Sequence, residues 1–131
     1  MSNRILKPLL IDEGLPPQVA TALRALDWFV LAVRQPGAPP QGGSDEGNCE
    51  WCKANGDAVL VTNDYGRKDK EIRVALDKHQ THAIFVPKSL RDGPARDLAK
   101  ALLLAERYIE SYASKELMRR CLRASGNLVK P

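Results

Sequence analysis

The sequence predicts an α/β fold in which helices cover a mainly parallel sheet of about four strands, within a single domain spanning residues 1–131. Three observations predict it. Short apolar runs at 9–11, 29–33, 58–62 and 83–86 alternate with segments of helical spacing. The runs are continuously apolar, as strands buried on both faces are. The length suits one domain, and 44% hydrophobic residues suffice for a core.

The elements follow in order. The run 9–11 is short and ends in charge, so it is a buried strand. Asp12-Glu13-Gly14 follows, and Pro16-Pro17 opens a helix over 17–26 with Val19, Ala22, Leu23 and Leu26 on one face. The second strand is 29–33. Residues 35–43 hold three prolines and three glycines and form a loop. Ser44 precedes Asp45-Glu46, a cap followed by first-turn acids, and starts a helix over 45–54 that stops at Asn55-Gly56. The strand 58–62 runs into Asn63-Asp64. A helix over 71–78 shows Ile72, Ala75 and Leu76 on one face. The strand 83–86 ends at Pro87. A long helix covers 94–112, and 115–124 is read as another helix or a helical tail. These C-terminal helices, 94–124, belong to the domain or form a dimerisation or partner surface.

The net charge of +4 is mild and permits an anionic partner without requiring one. No apolar run is long enough to cross a bilayer. The start, Met1 to Ile5, is too short and polar for a signal peptide, so a cytoplasmic protein is expected. The three cysteines, Cys49, Cys52 and Cys121, do not suggest a disulfide framework. Cys49 and Cys52 have metal-ligand spacing, and His79 and His82 are available to complete a zinc set. Both cysteines nonetheless fall inside a helical pattern, where they read as buried structural thiols.

In a parallel sheet the strand ends share one edge, where open α/β sheets place their ligands. Asp12 and Asp64 each follow a strand, and Asp45-Glu46 opens a helix at the same edge. Clustered carboxylates repel one another unless a cation intervenes, and oxygen ligands suit Mg²⁺ or Mn²⁺. Such an ion supports phosphodiester hydrolysis. Singly, each acid also reads as a turn residue or as a partner of the helix dipole.

Leu10-Ile11-Asp12-Glu13-Gly14-Leu15-Pro16-Pro17 resembles the LLDENLPP opening of compact PIN-like ribonucleases. Ser44-Asp45-Glu46 resembles their SDEE motif, and Val59-Leu60-Val61-Thr62-Asn63-Asp64 their VLVTND strand end. The resemblance implies a PIN-like three-layer α/β/α fold and a Mg²⁺- or Mn²⁺-dependent ribonuclease, related to the toxin of VapBC toxin–antitoxin pairs. It implies catalytic acids at Asp12, Asp45, Asp64 and Asp69, with Asp12, Asp45, Glu46 and Asp64 as metal ligands. Asp45 and Glu46 compete for the helix position. Arg67, Lys68, Lys70 and Arg73 are the candidates for phosphate contact. RNA substrate, a cognate antitoxin and a homodimer are the implied partners. The chain departs from the family pattern at Gly14, at Gly47 and in the spacing of Asp64 to Asp69. Those departures keep open a catalytically inactive PIN-like module that binds nucleic acid or protein.

Overall fold

A computed structural model describes residues 7–40, 42, 44–63 and 70–131. Among them are six strands and five helices: β1 (Leu9–Ile11), α1 (Gln18–Arg24), β2 (Val30–Ala32), α2 (Asp45–Ala54), β3 (Val59–Asn63), α3 (Lys70–His79), β4 (His82–Val86), α4 (Lys88–Arg91), α5 (Ala95–Lys115), β5 (Arg119–Leu122) and β6 (Leu128–Val129). They form one sheet in the order β2-β1-β3-β4-β5-β6, parallel except for the β5–β6 pair.

Strand side chains alternate between two cores, as the pleat dictates. Leu9, Ile11, Val30, Ala32, Val59, Val61, Ile84 and Val86 pack with α1 and α5. Leu10, Leu60, Ala83 and Phe85 pack on the other face with Cys49 and Cys52 of α2 and Ile72, Ala75 and Leu76 of α3. Helices therefore cover both faces, which explains why the strands lack a polar alternation. Trp28 is buried at the first core and its Nε1 donates to the Lys7 carbonyl at 2.7 Å.

The α2 helix starts where the sequence places it. The Ser44 hydroxyl accepts from the Gly47 N–H at 3.0 Å, and Asp45 and Glu46 occupy the first turn. Such a cap contributes about 1 kcal/mol.

The C-terminal region corrects two expectations. The sheet has six strands rather than four, and residues 119–122 form β5 rather than a helix. Lys115 to Arg120 consists of good helix formers, so local propensity points the wrong way. Met118 and Leu122 are four apart, a spacing that shares a face in a helix and in a strand alike. Both are buried in the first core. The free edge of β4 decides the outcome by offering backbone partners in the register Ala83↔Arg119 to Phe85↔Cys121. The arginines here are consequently structural. Arg119 donates to the Thr81 carbonyl and to Asp77, each at 2.8 Å, while Arg120 pairs with Glu116 and lies over the Tyr112 ring.

The steps from β3 to β4 and from β4 to β5 run in the same direction, yet α3 and α5 lie on opposite faces. These crossovers therefore have opposite hand, and the β4–β5 connection is the exception to a rule the other three share.

Candidate metal centre at the carboxyl edge of the sheet

From β1 the chain steps to β2 through α1 on one face, and then across to β3 through α2 on the other. This reversal opens a crevice beyond the carboxyl ends of β1 and β3, the usual ligand position in such sheets. Asp12 stands in that position. Its N–H donates to the Val61 carbonyl at 2.9 Å, continuing the β1–β3 ladder by one residue. Its Oδ2 accepts from the Thr62 hydroxyl at 2.8 Å and its Oδ1 from the Glu13 N–H at 2.8 Å. The carboxylate is thus fixed at both oxygens, each with lone pairs to spare.

The loop after β1 packs closely on the end of β3. A Cβ at Gly14 would stand 3.0 Å from Asn63 Nδ2, so glycine there leaves room for the asparagine amide. Glu13 turns outward, and its Oε2 accepts from the Gly42 N–H at 3.2 Å, tying this loop to the segment ahead of α2.

Asp45 is the first residue of α2 and borders a groove of about 620 Å³ between α2 and α3, also lined by Glu46, Lys70, Glu71 and Lys78. Asp12 and Asp45 lie within electrostatic reach of one buried point, the Cys49 thiol. Burial pushes that thiol up and the neighbouring Thr81 hydroxyl pulls it back; the charges of Asp45 and Asp12 raise it and that of Arg119 lowers it. Cys52 is raised too, chiefly by burial. Both thiols are fully buried, which fits structural packing and not metal or redox chemistry.

The α2 face that carries Asp45 also carries Asn48, which is 4% exposed and whose Oδ1 has no hydrogen-bond partner. A buried amide oxygen left unpaired costs about 1–3 kcal/mol, so its retention calls for a reason. The donors available at this edge, carboxylates at a strand end and a helix start and an unpaired amide oxygen on that helix, are all oxygens. That chemistry fits a hard divalent cation.

The remaining candidates divide. Asp64, Asp69, Arg67 and Lys68 lie outside the described residues. Lys70 and Arg73 are exposed in the first turn of α3, with Lys70 on the groove. Glu46 faces α3: its carboxylate accepts from Lys78 and lies 3.2 Å from His79 Nε2. The Lys78 hydrogen bond, with help from His79, holds the Glu46 carboxyl below its ordinary range. Among the described residues, Glu46, Glu50 and His79 form a group whose donor atoms lie within 4.8 Å of one another and which could hold a metal ion.

Sequence reasoning missed Thr62, Asn48 and Glu50, and it considered His79 as a ligand only beside the two cysteines, where the structure groups it with Glu46 and Glu50. A hydroxyl inside the apolar 58–62 run and the four-residue spacing of Glu46 and Glu50 were the available signals. Compared with known proteins, the chain matches no family model, no curated protein and no solved structure.

Proposed function

We propose that the chain is a metal-dependent endoribonuclease of the PIN-like type, acting as the toxin of a toxin–antitoxin pair. The observation that carries this reading is the fixed Asp12 carboxylate at the β1/β3 reversal, with Asp45 opening α2 at the same edge. Asp12 and Asp45 would hold Mg²⁺ or Mn²⁺ together with Asp64, and the buried, unpaired Asn48 amide oxygen on α2 would be a further donor. When bound, the ion supplies Lewis acidity toward a phosphodiester and toward an attacking water. The chain's own residues do the rest. Thr62 and the Glu13 N–H orient Asp12. Lys70, which lines the α2–α3 groove, would hold the RNA backbone together with Arg67, Lys68 and Arg73. Asp69 would complete the acidic set. An acidic antitoxin segment and a second copy of the chain are the partners this reading expects.

The test is cleavage of a structured RNA by purified protein with Mg²⁺ or Mn²⁺. Cleavage should stop with EDTA and fall by more than about 100-fold in Asp12→Asn, beyond the usual cost of an outer-shell loss. Equal cutting by wild type and variant would end the proposal. A second reading, an inactive PIN-like binding module, draws on the engagement of Glu46 by Lys78 and His79, which removes one acid from the edge. RNA binding without Mn²⁺ uptake in calorimetry would favour it.

A further inference from the structure

Between α2 and α3 lies a second donor set that does not use the strand edge. Glu46 and Glu50 are four residues apart, so both carboxylates leave one side of α2. His79 ends α3 opposite them, and its side chain is only 18% exposed. Its Nε2 lies 3.2 Å from Glu46 Oε1, and one donor atom from each of the three residues lies within 4.8 Å of the others. The imidazole separates this group from an ordinary acidic patch, because it comes from another helix and is positioned by packing. The spot also already draws a cation from the chain itself, since the Lys78 ammonium rests on Glu46 Oε1.

We propose that Glu46, Glu50 and His79 form a binding site for a borderline transition-metal ion of the Zn²⁺ class, with Lys78 as its resident competitor. Imidazole ligation selects Zn²⁺ and its neighbours over Mg²⁺, which prefers oxygen alone. Three protein ligands leave a fourth position for water, the arrangement of an open site. Bonds of about 2.0–2.1 Å place tetrahedral donors about 3.3 Å apart. Donors now within 4.8 Å must therefore close by about 1.5 Å at most, which a change of glutamate rotamer supplies. Two carboxylates neutralise the ion. The Lys78 side chain is 62% exposed and returns to water when displaced. The ion then clamps the start of α2 to the end of α3.

This site stands apart from the ribonuclease reading, and its test separates the two. EDTA-stripped full-length protein is titrated with Zn²⁺ by calorimetry and with Co²⁺ by visible absorption. In the Asp12→Asn background, which disables the strand-edge acids, one ion per chain should bind, at least about 100-fold tighter than Mg²⁺, and the ligand variants are compared in that background. Glu50→Gln and His79→Gln should each weaken Zn²⁺ by at least about tenfold, with unchanged circular dichroism. Lys78→Met should tighten it, and restoring Asp12 should leave it unchanged. No uptake at millimolar Zn²⁺, or uptake that survives His79→Gln, overturns the proposal. Loss of the ion in Asp12→Asn assigns it to the strand edge and overturns it equally. A Lys78→Met variant that binds no tighter refutes the competitor role.

Discussion

The Thr62 hydroxyl donates to Asp12 Oδ2 at 2.8 Å, joining the ends of two adjacent parallel strands across 50 residues of sequence. Thr62 is 2% exposed and Asp12 half-buried, so this bond is partly screened from water and holds the carboxylate in one orientation. Thr62→Val keeps the shape and deletes the donor. If Asp12 is a metal ligand, RNA cleavage should drop by about 10–100-fold, the usual cost of losing an outer-shell partner. Single-turnover assays at saturating Mn²⁺ read this directly, and an unchanged rate would detach Asp12 from the chemistry.

Asn48 predicts a trade of function against stability. Its buried Oδ1 lacks a partner, and alanine removes it while favouring the helix. Asn48→Ala should therefore raise unfolding free energy by about 1 kcal/mol in urea melts while lowering Mn²⁺ affinity. A variant that is both less stable and fully active would show that the amide serves packing alone.

The pH dependence of stability should carry the signature of His82, which is 5% exposed. Burial pushes its pKa down, against the pull of Asp57. The neutral ring satisfies both neighbours: Nδ1 accepts from the Met118 N–H at 3.0 Å, and Nε2 faces Asp57 Oδ2 at 3.2 Å as its donor. The folded state thus binds fewer protons than the unfolded chain. The contribution of His82 is complete above pH 6.5 and declines as pH falls from there through the folded value. The slope is at most about 1.4 kcal/mol per pH unit. Asp57 acts in a lower window. Burial opposes its ionisation, but Lys53, Lys7 and His82 outweigh that and lower its pKa, so its contribution fades below about pH 3.8. Melting temperatures should decline between pH 6.5 and 5 in the wild type and lose that decline in His82→Gln. Parallel curves would contradict the assignment.

Gly126 marks where the β5–β6 turn meets α5. Its φ is +86°, and a Cβ there would lie 2.4 Å from Leu104 Cβ. Gly126→Ala combines backbone strain with overlap and should cost about 1–3 kcal/mol. Thermal unfolding checks it, and a loss below about 0.5 kcal/mol would mean that the turn moves freely off the helix.

Much of the fold could be read from the sequence because pattern and context agree there. Ser44-Asp45-Glu46 caps α2 by local chemistry, and its bounds emerge as the spacing indicates. Residues 9–11 and 58–62 are too apolar to lie anywhere but in the sheet. The region 115–124 could not be read, because Met118 and Leu122 suit both periodicities and only the β4 edge chooses. At the candidate site, Asp12 and Asp45 were visible as acids at element ends. Thr62 was not, since a hydroxyl in a strand carries no sign of the partner that the register places beside it. Glu46 was read toward the sheet edge, but a helix start presents two neighbouring acids in different directions, and only the position of α3 shows which partners each meets.

The alternation of strand side chains between two cores turns the sheet into an insulating partition. Leu10 contributes to one compartment and Leu102 to the other. Truncating either to alanine should cost about 2–5 kcal/mol, and the double variant should cost the sum to within about 0.5 kcal/mol. Denaturant titration of the three variants measures this, and a larger coupling would show that strain crosses the backbone. Additive costs would mean that changes in the α2 and α3 layer on one face need no compensating change under α1 and α5 on the other.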